Sequence, residues 1–320
     1  MITTRLRAND VEDAYQLIKP HLQPTRLLRS GVFRDRRVLL KLECEQPTGS
    51  FKVRGALSNL ARRASGPAGF VAASAGNHAL GLAWAARATA RSEPITIFVP
   101  ETTPETKIGK LRKFPVDLRV VGRTFDDAER AARAFERETG ATYVHAYEDG
   151  LTAAGQGTTA IEIAAEMGVP GTVVIPVGGG GLISGNAAWF KERHPSVHIV
   201  AVQPDASPAF SESVRLGRPL LEFDAGPTLA DGLAGGIGRI AFDHRDLVDA
   251  FVNVPEAAIH AAIRALHEVD GVRAEASGAT AVAAVSHEDS ASWPEPIVCL
   301  ITGANIDDGV FRKVIHRETV

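Results

Sequence analysis

The stretch QPTGSFKVRGA (46–56) sets a lysine, Lys52, at what reads as the start of a helix. Thr48 and Ser50 are capping residue types, Gly49 is permissive, and FKVRGALSNLARRA (51–64) carries apolar residues at helical spacing. A helix N-terminus favours acidic side chains, so Lys52 stands against the local potential. That potential, together with desolvation by Phe51 and Val53, is expected to lower its pKa. A neutral lysine amine attacks carbonyl groups, so the placement suits Schiff-base chemistry. Arg54 receives no such explanation and is expected to be solvated.

Two further stretches share the design of an extended segment running through small residues into a helix start. In TVVIPVGGGGLISGNAAW, four consecutive glycines, Gly178, Gly179, Gly180 and Gly181, separate a buried strand from a helix. Each ordered glycine costs about 0.5–1 kcal/mol relative to alanine, and a turn needs only one or two. A phosphate cup at the helix N-terminus explains the excess, with a flexible hinge as the plainer reading. No Gly-Lys-Ser/Thr follows, so the loop is not a Walker loop, and it lacks the acidic follow-up of a dinucleotide fingerprint. In FVAASAGNHALGLAWAA, the segment Ser74, Ala75, Gly76, Asn77 and His78 follows a strand and would suit a carboxylate. An ordinary N-cap supplied by Ser74 or Asn77 explains it equally well. His78 reads as a supporting or helix-surface residue rather than a catalyst. A phosphate cup, a carboxylate cup and an activated lysine together point to pyridoxal phosphate and an amino-acid substrate.

The elements that must position these groups are legible as alternating strands and helices. Strands are expected at 38–42, 69–73, 95–99, 117–121, 142–146, 172–177, 198–203, 250–254 and 297–301. Helices are expected at 77–90, 125–140, 158–168, 186–194 and 256–269. The alternation argues for an α/β fold with mostly parallel sheets covered by helices. The 320 residues suggest two domains, and no low-complexity linker separates them. Hydrophobic residues make up 45% and charged residues 23%, so a substantial core can form. A net charge of −3, with both signs mixed along the chain, gives no case for nucleic acid or an anionic membrane as partner. The basic run RSGVFRDRR (29–37) reads as a solvated turn. MITTRLRAND has no apolar signal region and no apolar run reaches membrane-spanning length, so a cytoplasmic location is expected. Cys44 and Cys299 are too few for a disulfide framework, and the ten histidines show no metal-ligand spacing, so no metal is expected.

The blocks KLECEQPTGSFKVRGA, VAASAGNHALG, VPETTPETK, AGQGTTAIEI, VIPVGGGGLISG and CLITGANID, in this order, resemble those of the fold-type II pyridoxal-phosphate enzymes. They are most similar to the threonine/serine dehydratases, with serine racemase as a near relative, over about residues 15–310. The resemblance implies a tryptophan-synthase-β-like fold with the cofactor in an interdomain cleft. It implies a large domain of 1–49 and 147–320, a small inserted domain of 50–146, and a homodimer. By the same match Lys52 is the Schiff-base lysine, with Phe51 against the cofactor ring and Asn77 on its 3-hydroxyl. Gly178 to Gly181 and Leu182 take the phosphate, Ser74 to His78 the substrate carboxylate, and Thr302 faces the pyridine nitrogen. A neutral hydroxyl there leaves that nitrogen largely unprotonated, which suits β-elimination better than reactions that must hold a carbanion for long.

The resemblance therefore implies an ammonia-lyase that converts threonine, serine or another β-hydroxy amino acid to a 2-oxo acid and ammonia. Racemisation and β-replacement are the alternatives within the fold. Ala75 stands where the racemases carry a serine as proton carrier, which disfavours racemisation. Their acidic metal ligands fall at Gln203 and Ala209, which disfavours activation by a hard cation. Ala304 replaces the usual second glycine of the C-terminal block, and Ala276 the proline after Glu275. Glu275 reads equally as a group behind the site or a surface carboxylate. The chain stops soon after GANIDDG, so feedback by isoleucine through a C-terminal regulatory domain is not expected.

Overall fold

The computed structural model describes residues 5–63, 66 and 68–319. Residues 1–4 of the N-terminal segment, and residue 64 at the end of the first expected helix, lie outside these described residues. The chain opens with α1 (Ala8–Ile18), β1 (Leu27–Arg29), β2 (Val38–Lys41) and α2 (Lys52–Arg62). Then follow β3 (Phe70–Ala73), α3 (Asn77–Ala88), β4 (Ile95–Val99), α4 (Glu105–Leu111), β5 (Asp117–Val120), α5 (Phe125–Thr139) and β6 (Thr142–Tyr143). The remainder runs α6 (Gly150–Met167), β7 (Thr172–Pro176), α7 (Gly181–Arg193), β8 (His198–Pro204), α8 (Ala209–Leu216), α9 (Arg239–Asp243) and β9 (Ala250–Val254). It ends with α10 (Glu256–Asp270), α11 (Ala276–Val285), β10 (Ile297–Leu300) and α12 (Asp308–Ile315).

Two sheets result. The larger has the order β1-β2-β10-β7-β8-β9 and is parallel except for β1, which pairs antiparallel to β2. The smaller has the order β5-β4-β3-β6 and is parallel throughout. Strand residues of the larger sheet alternate between two cores. Val174, Val200 and Val202 join Ile259, Ile263 and Val282 on one face. Val173, Ile175 and Ile199 join Ile163, Phe190 and Leu182 on the other. Burial of both faces is why these strands read as continuous apolar runs. Ile18 and Leu22, far from the smaller sheet in sequence, share its core with Phe70, Leu82 and Ile97.

Local chemistry sets several boundaries. The strand expected at 142–146 stops at Tyr143, because His145 Nδ1 accepts the N–H groups of Tyr147 and Glu148 and turns the chain. The helix expected at 158–168 begins instead at Gly150, because Asp149 caps it by accepting from the N–H groups of Leu151 and Thr152. Its glycines are contact surfaces: a Cβ on Gly155 would lie 2.8 Å from Gly55 Cα, and one on Gly157 2.7 Å from Gly185 Cα. Helices α2, α6 and α7 can therefore cross at backbone contact.

Two expectations around Lys52 are corrected. Neither Thr48 nor Ser50 caps α2; Phe51 occupies the N-cap position without a side-chain cap, and Ser50 Oγ is buried with no partner among the described residues. Arg54 is not solvated but fully buried. Its guanidinium holds Glu43 through Nε and Nη2 at 2.7 and 2.8 Å, and Glu162 through Nη1 and Nη2, both at 2.7 Å. Lys41, also buried, bonds Glu162 at 2.7 Å and the Thr25 carbonyl at 2.6 Å. Two cations thus meet two carboxylates, tying the larger sheet to α2 and α6. Burial would raise the Glu43 pKa, but the Arg54 guanidinium beside it holds it below the usual range. Residues 30–37 of the basic run do form the turn between β1 and β2, although Arg36 docks on Ser290, donating to its Oγ at 2.8 Å and to its carbonyl at 2.6 Å.

Candidate active site

A cleft of about 1370 Å³ opens beyond the C-terminal ends of β3 and β7. Parallel α/β sheets bind ligands at this end, where loops and helix N-termini converge. All the candidate residues named from the sequence line it: Phe51, Lys52, Ser74 to His78, Gly178 to Leu182, and Thr302.

Lys52 is the first residue of α2, and its Nζ donates to the Ala146 carbonyl at 3.2 Å. Desolvation lowers its pKa to about 8, with the Glu275 charge opposing the shift. The neutral amine fraction near neutral pH is thereby raised roughly a few hundredfold over an ordinary lysine. The expected direction holds, and burial is the cause. The Phe51 ring lies 5.1 Å from the amine.

Helix α3 begins with Gly76 at the N-cap position and no side-chain cap. Ser74 Oγ instead accepts from Gly76 N–H at 3.2 Å. Asn77 is turned sideways, donating to Glu275 Oε1 at 2.9 Å and accepting from Asn305 Nδ2 at 2.7 Å. The ordinary N-cap reading is therefore not what the segment does. Ala75 lines the cleft and packs against the core of the smaller sheet. His78 is buried rather than on the helix surface, with Nε2 2.8 Å from the Val144 carbonyl. Desolvation and the neighbouring Lys52 charge lower its pKa to about 3, so it is neutral.

The tetraglycine loop is tightly backed. A Cβ on Gly178 would meet the Gly232 carbonyl oxygen at 2.5 Å, one on Gly179 the Tyr147 ring at 2.3 Å, and one on Gly180 the Ala241 Cβ at 2.2 Å. Gly180 also has a φ of 91° and serves as the N-cap of α7, which has no side-chain cap. A loop pressed against three walls is no hinge, and packing adds a reason for four glycines that the sequence did not reveal. Its remaining face is the cleft.

Of the two readings open for Glu275, the surface carboxylate is overturned: Glu275 is buried, and its second oxygen accepts from Asn305 N–H at 3.0 Å. Burial and the nearby Asp231 charge push its pKa up to about 7. Several residues escaped the sequence reading. Lys110 Nζ reaches Asn305 Oδ1 at 3.0 Å, and Lys107 reaches Asp231 at 3.3 Å, so α4 spans the cleft. Gln156 lines it with a buried Nε2 that has no partner among the described residues. Asn305 lay within a block quoted above, but nothing in its spacing marked it.

Gln203 uses both ends of its amide inside the protein, donating to the Val177 carbonyl at 3.1 Å and accepting from Phe210 N–H at 2.7 Å. Among the described residues, no group of three or more His, Cys, Asp or Glu side chains is placed to hold a metal ion. Ala276 opens α11, a position where proline and alanine are both accommodated.

The site's donor set is a partly desolvated amine, two uncapped helix N-termini and an orphaned amide N–H. That set fits a carbonyl-bearing phosphate ester. Residues 18–303 match the family model described as pyridoxal-phosphate dependent enzyme. The chain belongs to that family. Its cofactor is pyridoxal phosphate. An L-threonine ammonia-lyase of Thermotoga maritima is 37% identical over 97% of this chain and 78% of its own. The structure of threonine deaminase isoform 2 from Solanum lycopersicum superposes with a TM-score of 0.89 at 29% identity, covering 99% of this chain and 96% of that one. Maize serine racemase superposes with a TM-score of 0.88 at 28% identity, covering 97% of each chain. The fold-type II architecture is thus shared with both activities. Among the described residues, no helix is long and apolar enough to cross a membrane.

Proposed function

We propose that this family member is a β-hydroxy amino acid ammonia-lyase, converting L-threonine to 2-oxobutanoate and ammonia, and L-serine to pyruvate and ammonia. The observation that carries the reading is the Lys52 amine, its pKa lowered to about 8, standing in the cleft that two uncapped helix N-termini also face. The relatives named for threonine support the choice of substrate.

Pyridoxal phosphate, when bound, supplies an electron sink for negative charge at the substrate Cα. Gly178 to Gly181 and Leu182 offer backbone N–H groups and a positive helix end to its phosphate. The Ser74–His78 segment offers the same to the substrate carboxylate. Asn77, fixed by Glu275 and Asn305, would hold the ring hydroxyl, and Thr302, which lines the cleft, would serve the ring nitrogen. Lys52 Nζ would hold the cofactor at rest, and its lowered pKa suits it to take up the substrate's Cα proton. The β-hydroxyl would leave as water, which balances the proton lost from Cα, and the released enamine takes up one water to give the 2-oxo acid and ammonia.

This reading takes 50–146 as a small domain inserted into a large one of 1–49 and 147–320, in a cytoplasmic homodimer. Purified protein incubated with each amino acid, followed for 2-oxo acid, ammonia and enantiomer, tests the activity. Equal amounts of oxo acid and ammonia are expected. A D-isomer formed without ammonia would make the chain a racemase, and turnover only with an added nucleophile a β-replacement enzyme.

A further inference from the structure

His145 lies outside every motif considered so far, yet its ring stands where three contacts of the site meet. Its Nδ1 accepts the N–H of Tyr147 at 3.2 Å and of Glu148 at 2.9 Å. Two donors at one nitrogen require a lone pair there, so the ring is the neutral tautomer with its proton on Nε2. Burial, then the Arg133 and Lys52 charges, keep it neutral.

The short turn closed by these two bonds carries one site contact on each of its next three residues. The Ala146 carbonyl receives Lys52 Nζ at 3.2 Å. The Tyr147 ring is the wall on which the glycine loop rests, 2.3 Å from where a Gly179 Cβ would be, and Tyr147 Cα is 3.2 Å from the corresponding Gly181 position. Glu148 Oε1 accepts from Ile240 N–H at 3.3 Å, at the start of the helix that backs Gly180. The His145 ring also meets the Tyr147 ring edge-on, with centroids 4.5 Å apart.

From this geometry we infer that His145 is a positioning residue that holds Lys52 and the phosphate-binding glycine loop in mutual register through the turn 145–148. The inference rests on the cofactor roles proposed above for Lys52 and the loop. The imidazole neither touches substrate nor transfers a proton in this account; what matters is an acceptor one bond beyond Cγ.

The prediction separates acceptor from ring. Asparagine places Oδ1 where histidine places Nδ1, whereas phenylalanine keeps a flat ring and removes the acceptor. His145→Asn and His145→Phe are prepared free of cofactor, and pyridoxal phosphate affinity is read by quenching of tryptophan fluorescence. Urea unfolding of the same cofactor-free samples reports the fold, and kcat and KM are measured on L-threonine. His145→Asn is expected to bind the cofactor within threefold of the natural chain, with kcat within threefold. His145→Phe is expected to lose at least tenfold in affinity and in kcat, with KM changed less than threefold. A folded His145→Asn with affinity reduced tenfold or more overturns the inference, because the ring itself would then be needed. A His145→Phe that keeps natural affinity also overturns it. If His145→Phe fails to fold, the Asn variant alone decides. Should the natural chain bind the cofactor yet form no oxo acid, the lyase reading fails while the affinity comparison still judges His145.

Discussion

Replacing Arg54 with methionine removes one side chain and leaves a buried, unbalanced cluster. In the natural chain Lys41 and Arg54 face Glu43 and Glu162, two charges of each sign, all buried. Arg54→Met strips the cluster of four N–H···O contacts of 2.7–2.8 Å and leaves it with net charge −1. Glu162 keeps Lys41, but Glu43 keeps only the Thr25 hydroxyl at 2.6 Å and the Gln46 amide at 3.2 Å. Removing one partner of a buried ion pair costs about 3–5 kcal/mol, a large share of the roughly 5–15 kcal/mol that holds a protein folded. Urea unfolding followed by circular dichroism measures it. The pH dependence has a definite sign. The depressed pKa of Glu43 contributes stability above its ordinary value of 4.5, lost only as pH falls below it. In the variant, burial without Arg54 raises that pKa, so the gap between variant and natural chain narrows as pH falls. A loss below about 1 kcal/mol, or a gap that widens in acid, would refute the reasoning.

Two further substitutions probe the scaffold and the site. A Cβ on Gly185 would lie 2.2 Å from the Ala153 carbonyl oxygen, so Gly185→Ala forces α6 and α7 apart and should cost about 1–3 kcal/mol in urea unfolding. Glu275 titrates near pH 7 in the folded protein against an ordinary 4.5, so the fold binds its proton more tightly and loses stability as pH rises between those values. Glu275→Gln removes that slope: relative to the natural chain the variant gains about 3 kcal/mol between pH 4.5 and pH 8, and parallel stability curves would contradict the assignment.

What was legible in the sequence was whatever one strand or one helix start expresses locally. The apolar runs at 95–99, 172–176 and 250–254 became strands because both faces of their sheets are buried or their side chains alternate in and out. Helix α11 was not anticipated, because all ten of its residues are buried and an all-round apolar helix has no periodicity to read. Arg54 was misjudged for a related reason: its partners Glu43 and Glu162 are 11 and 108 residues away, and nothing local distinguishes a buried cation from a solvated one. The candidate site was legible as types and spacing. Its support was legible only as one of two readings of Glu275 and not at all for Asn305, since both meet Asn77 only after the chain has closed over 198 and 228 residues. The glycine loop shows the same limit, with Tyr147 and Ala241 behind it identifiable only in three dimensions.

The central claim is that the Lys52 amine both holds the cofactor and moves the Cα proton. Lys52→Ala tests it in one comparison with the natural chain, each loaded with pyridoxal phosphate and assayed for 2-oxobutanoate from L-threonine. The natural chain should show the visible absorbance of a lysine-bound cofactor and release oxo acid with an equal amount of ammonia, and the variant should show neither. A variant that retains the absorbance band, or forms oxo acid at a comparable rate, would contradict the account.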